Sequence, residues 1–355
     1  MYYPILKNKL NELKGLNDVD TSLDFIPILE LTECKYEEFD KFVNYFASKI
    51  DAILLSKNIY IDIPSYINNG VVIEYSLNSA EEKFNFFLNL KKYFKVHYFR
   101  EFEPVISFDY SYGSQKESYK ENIKFVKKIM NHFDNFSIRI FSDYVYKNND
   151  IDLINQIYTF LGDEIEDICT LIIDTDEHTT SLVLSTVESI LADYKIKNII
   201  LCGEAFTPFN RNTTAYQCSR IENHHLKRMK YFKEKFDNKD ISVPLNYADY
   251  SLLDKIPSKV EIEEGKGFLY YPFIKYTTED GNLCMFTADH KGDYSQYQEL
   301  CKRVKLEIKT FSTAHCSTCK FIDDVAEDKI NKYKSGGTWK HRMVAHHITA
   351  VSKLS

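Results

Sequence analysis

The chain has 355 residues, 44% of them hydrophobic and 27% charged, with 11 Gly and 8 Pro, which excludes a disordered or fibrous protein and allows a large buried core. Its formal net charge of -7 argues against broad electrostatic capture of nucleic acid or of an anionic membrane surface. No apolar run approaches the ~20 residues of a membrane span, and Met1-Tyr2-Tyr3-Pro4 leads into polar residues rather than a signal peptide, so a cytoplasmic protein is expected.

Residues 1 to 23 read as mixed and polar, and the first strand is expected at Phe25 to Leu31. A helix follows from Lys35 to Ile50, with Phe39, Phe42, Val43 and Phe46 at three- and four-residue spacing. Ile59 to Ile63 is a second strand, stopped by Pro64, and Ser79-Ala80-Glu81-Glu82 has the cap and early acids of a helix start. Further strands are expected at Pro104 to Tyr110, Ser137 to Phe141, Leu171 to Asp176, Asn198 to Glu204, Val243 to Asp249 and Gly267 to Tyr276. Helical stretches at Tyr119 to His132, Ile151 to Leu161, Thr180 to Tyr194 and Glu222 to Phe236 separate them.

Strand and helix thus alternate about eight times, the count that closes a parallel barrel. The expected fold is α/β, a TIM-like (β/α)8 barrel over residues 1 to 276, with residues 277 to 355 as a C-terminal appendage. An open doubly wound sheet is the rival, disfavoured because no Gly-rich phosphate turn follows the first strand. In the appendage, Thr277 to Asn282 reads as a hairpin turn into the strand-like Leu283 to Thr287, and Tyr297 to Leu306 as a helix.

Side chains alternate along a strand, so Tyr60 shares a face with Asp62, Ser107 with Asp109, Ser137 with Arg139, Ile172 with Asp174, Cys202 with Glu204, Tyr247 with Asp249, and Phe273 with Lys275. If these faces point inward, Asp62, Arg139, Asp174, Glu204 and Lys275 form a candidate catalytic set at the C-terminal mouth, with Asp109, Asp176, Tyr247 and Asp249 as ligand-binding residues. Carboxylates suit a divalent metal or acid-base work, and Arg139 with Lys275 suit an anionic substrate. The opposing reading is that strands simply end in polar residues, or that Arg-Asp pairs are structural.

Cys316 and Cys319, a CxxC pair with His315 nearby and His346 or His347 downstream, are candidate zinc ligands, although structural zinc normally takes four and two adjacent His rings do not easily meet one ion. Two reduced, inert thiols are the plain alternative. No GxSxG elbow, HExxH or Walker loop is present.

Several short pieces together resemble the beta protein family of bacteriophages, satellite phages and bacterial mobile islands. They are Tyr3-Pro4-Ile5-Leu6-Lys7 with Glu12, Pro27 to Glu30, Arg220 with Glu222, Asp249-Tyr250, Ile274 to Thr277, and Gly336-Gly337-Thr338-Trp339 through His346-His347 to Val351. The resemblance implies a barrel protein from phage-inhibition or toxin-control loci, with a protein partner from the same locus and no catalytic residues carried over. The Cys316 to Cys319 pair departs from the family pattern. The rival function is a metal-dependent hydrolase or phosphodiesterase-like enzyme using the mouth carboxylates.

Overall fold

The computed structural model describes all residues except 65–70, 78, 99, 108–114, 142–154, 156, 160–164, 176–179, 207–214, 254–270, 331, 332, 334 and 355. The chain forms two compact units, Met1–Lys9 with Ile26–Gly203 and Lys227–Asp249, and Leu10–Phe25 with Glu204–Leu226 and Tyr250–Ser355. The expected boundary at residue 276 falls inside the second of them.

The first unit is the barrel. Its strands are β1 (Tyr2–Lys7), β2 (Ile28–Glu30), β3 (Tyr60–Asp62), β4 (Glu103–Ser107), β5 (Phe136–Phe141), β6 (Cys169–Asp174), β7 (Asn198–Gly203) and, after β8 of the second unit (Ser219–Ile221), β9 (Leu245–Asp249). They close in the order β1-β2-β3-β4-β5-β6-β7-β9, every neighbour parallel, which is the expected TIM-like architecture. Runs such as Leu171-Ile172-Ile173 are buried throughout because each strand is covered on both faces. The helix Ala80–Tyr98 begins with the expected capping box: Ser79 N–H donates to Glu82 Oε2 at 2.8 Å, and Glu82 N–H to Ser79 Oγ at 3.2 Å.

Strand assignments differ from the sequence reading in three places, one of them β8, which is not read as a strand in the sequence. The segment read as mixed and polar contains β1, whose six residues are all buried, and β1 closes the barrel between β2 and β9. The segment expected as the eighth barrel strand instead supplies β10 (Phe273–Thr277), which pairs antiparallel with β11 (Leu283–Thr287) in a sheet of order β10-β11-β8. The hairpin turn between them lies where expected, with Gly281 at φ +82. The helix expected over Ile151 to Leu161 falls largely outside the described residues.

The second unit has its own apolar core. Ile274, Tyr276, Phe286, Leu300, Val304, Ile322, Val325 and Trp339 join the sheet to the helices Tyr297–Glu307, Ser317–Ala326 and Gly336–Ser352. Among the described residues no helix is long and apolar enough to cross a membrane.

Candidate functional site

Arg139 lies on β5, between β4 and β6, yet its guanidinium reaches carboxylates on β2, β3 and β6. Contacts to β2 and β3 cross the barrel, so this face of β5 is interior. Nη1 donates to Glu30 Oε1 at 2.8 Å and to Asp62 Oδ2 at 2.6 Å, and Nη2 donates to Asp174 Oδ2 at 2.9 Å. All four side chains are 0% exposed. Lys7 Nζ lies 3.8 Å from Glu30 Oε2, and Ser107 Oγ donates to Asp62 Oδ1 at 2.8 Å. Glu30, Asp62 and Asp174 are each the last residue of a strand, which puts the network at the C-terminal end of the barrel.

Three carboxylates thus surround two cations in a buried interior. Such a cluster is costly to desolvate and persists only when its charges nearly cancel. With these five groups ionised, the sum over them among the described residues is one negative charge. Asp62 is a carboxyl whose proton is held above the ordinary range. Burial raises its carboxyl to about 6, the Arg139 charge opposes the rise, and the neighbouring Glu30 charge adds to it.

Asp62, Arg139 and Asp174 therefore meet as expected, joined by Glu30, Lys7 and Ser107. The sequence reading left Glu30 and Lys7 out of the site, although Pro27 to Glu30 ends on a carboxylate in the same way as the β6 run that ends at Asp174. The other expected members are elsewhere. Register pairs Asp174 with Cys202 and Cys202 with Ala248, so Ala248 shares the interior face and Tyr247 and Asp249 lie on the opposite one. There Asp249 accepts from Tyr2 Oη at 2.7 Å and from Tyr247 Oη at 2.8 Å. Lys275 sits on β10 of the second unit, where its Nζ donates to the Leu252 carbonyl at 3.2 Å, and Glu204 also belongs to that unit. Asp109 and Asp176 lie outside the described residues.

A second cluster stands in the second unit. Cys316 caps the helix Ser317–Ala326 and Cys319 lies in its first turn, so their sulfurs come within 3.6 Å of each other. His346, on the helix Gly336–Ser352, brings Nδ1 to 3.4 Å from Cys316 Sγ and 3.6 Å from Cys319 Sγ. His347 turns away and pairs through Nδ1 with Thr277 Oγ1 at 2.8 Å, so one ring of the pair faces the thiols. Hydrogen bonding with Cys319 holds the Cys316 thiol below the ordinary range against its burial, with His346 helping, while Cys319 is pushed up. These are the three residues expected as a metal set, and their ligand atoms all lie within 4.8 Å of one another.

No curated protein matches the chain. The Beta protein family model matches residues 2–353, nearly the whole length, and the chain therefore belongs to the Beta protein family.

Proposed function

We propose that this chain acts in antiphage defence or in restraint of a partner toxin, by binding a protein or ligand at the C-terminal mouth of its barrel. The observation that carries the reading is the commitment of Arg139. Its guanidinium is already held by Glu30, Asp62 and Asp174, and Lys7 by Glu30, so these interior cations are neutralised by the protein itself rather than presented to an anionic substrate. A barrel braced in this way suits a rigid scaffold whose rim does the binding. A cytoplasmic setting is part of the same proposal.

One observation favours a hydrolytic reading beside it. A carboxyl held near 6 at the C-terminal end of a parallel barrel is well matched to general acid-base work at neutral pH. The test is to co-express the chain with each gene product of its own locus, and separately to challenge the expressing host with phages. Binding predicts that one product co-purifies with the chain, that protection or growth rescue accompanies it, and that a folded Asp174→Asn variant retains the effect. Loss of protection in that folded variant, with complex formation intact, would favour the enzyme. No co-purifying product and no protection would refute the proposal.

A further inference from the structure

We propose that Cys316 Sγ, Cys319 Sγ and His346 Nδ1 form a binding site for a zinc-class divalent ion, separate from the barrel interior. The distances match such an ion closely. A tetrahedral centre with Zn–S of about 2.3 Å and Zn–N of about 2.0–2.1 Å requires ligand separations of about 3.8 Å between sulfurs and about 3.6 Å between sulfur and nitrogen. The corresponding separations here are 3.6 Å between the sulfurs and 3.4 and 3.6 Å from them to the nitrogen.

The imidazole is also in the required tautomer. His346 Nε2 lies 2.9 Å from the Thr277 carbonyl oxygen, which only accepts, so Nε2 carries the proton and Nδ1 turns its lone pair toward the sulfurs. A ligating histidine commonly has its second nitrogen held by a carbonyl in this way. The Tyr276 ring, centred 4.1 Å from the His346 ring, covers the imidazole.

Charge balance agrees with geometry. Two thiolates and a neutral imidazole around a divalent ion sum to zero, so the ion releases the thiol protons on binding and leaves a neutral centre in a largely buried place. Three protein ligands leave one position open. His315 stands beside the cluster but outside the set of ligand atoms that lie within 4.8 Å of one another: its ring centre is 5.4 Å from that of His346, and its buried Nε2 has no hydrogen-bond partner among the described residues. The open position takes water.

The full-length chain, purified under reducing conditions without a histidine tag, is to be assayed for metal by mass spectrometry, then stripped with chelator and titrated with Co²⁺. The expected result is roughly one zinc per chain, or Co²⁺ uptake at that stoichiometry with a thiolate-to-cobalt charge-transfer band. Cys319→Ser and His346→Gln should each weaken uptake beyond the roughly 10–100-fold cost of losing an outer partner, whereas His347→Gln should keep the band. Should a variant fail to fold, the stripped wild type still decides. No zinc together with no charge-transfer band overturns the proposal, as does metal content unchanged in folded Cys319→Ser.

Discussion

Replacing Arg139 with Met tests whether the barrel interior is held by its ion network. Met fills much of the same volume but removes both donors to Glu30, Asp62 and Asp174, which lie 2.8, 2.6 and 2.9 Å from the guanidinium. Three fully buried carboxylates would then lose the guanidinium, with Lys7 still beside Glu30. Breaking a buried pair by removing one partner costs about 3–5 kcal/mol, a large part of the ~5–15 kcal/mol that holds a typical domain together. Urea unfolding followed by circular dichroism at pH 7.5 measures the loss. The same argument fixes the pH dependence. Orphaned carboxylates in the native variant take up protons more readily than in the unfolded chain, so the deficit should shrink as pH falls toward 5. A loss below about 1 kcal/mol, or a deficit that grows in acid, would refute the view that the guanidinium compensates these charges.

Asp62→Asn isolates one titration. Because Asp62 is raised from 3.8 to about 6 in the folded state, the native chain holds a proton that the unfolded chain has released. Its contribution is complete below about 4 and is lost as pH rises through 6, by roughly 3 kcal/mol. The variant's stability curve should therefore be flatter between those limits, and parallel urea midpoints for the two proteins would count against the assignment. Trp339, the sole tryptophan, is 1% exposed, stacks on Tyr297 at 4.5 Å and donates to the Tyr333 carbonyl at 2.9 Å. Trp339→Ala should destabilise the second unit by about 3–5 kcal/mol, and wild-type fluorescence should be blue-shifted until that unit melts. A β-carbon added at Gly15 would stand 2.6 Å from the His341 carbonyl oxygen and 2.9 Å from Val344 Cβ, so Gly15→Ala should lower the melting temperature through a loss of about 1–3 kcal/mol. Tyr2→Phe removes one of two hydroxyls on Asp249 and should cost about 1 kcal/mol by denaturant titration, with no effect on a ligand bound in the barrel interior.

Alternation of apolar strands and helices was enough to count the barrel, because parallel strands covered on both faces read as apolar runs. It did not identify β1. Pro4, which lacks an N–H, weighs against a strand and Lys7-Asn8-Lys9 give the segment a polar end, whereas what makes it a strand is its pairing with β2 and β9. Nor did it separate Lys275 from the mouth. The turn at Thr277 to Asn282 commits β10 to antiparallel pairing with β11, a partner that follows it directly and outcompetes a distant parallel one. Parity carried the site only halfway. Period-two spacing correctly grouped Arg139 with Ser137 and Tyr247 with Asp249, but which group faces inward depends on register with the neighbours, and that register turns Asp249 away from Arg139. The thiol cluster was legible in its residues and not in its geometry, since adjacent histidines on a helix point in different directions and only packing shows that His346 faces the sulfurs.

The interior network also constrains what the mouth can bind. Among the described residues Lys7 and Arg139 stand against Glu30, Asp62 and Asp174, and the Asp62 carboxyl, raised to about 6, holds a proton below that pH and releases it above. A ligand that brings a positive group to the strand ends can replace that proton, so its binding should strengthen as pH rises through 6. An anionic ligand gains nothing there, because it would have to displace a carboxylate from Arg139 and leave that carboxylate buried. The sign of the pH dependence, once a ligand or partner is in hand, therefore discriminates the two. Binding that tightens from pH 5 to 7 marks a cationic group at Asp62, while binding indifferent to pH places the contact on the rim and leaves the interior to brace the barrel.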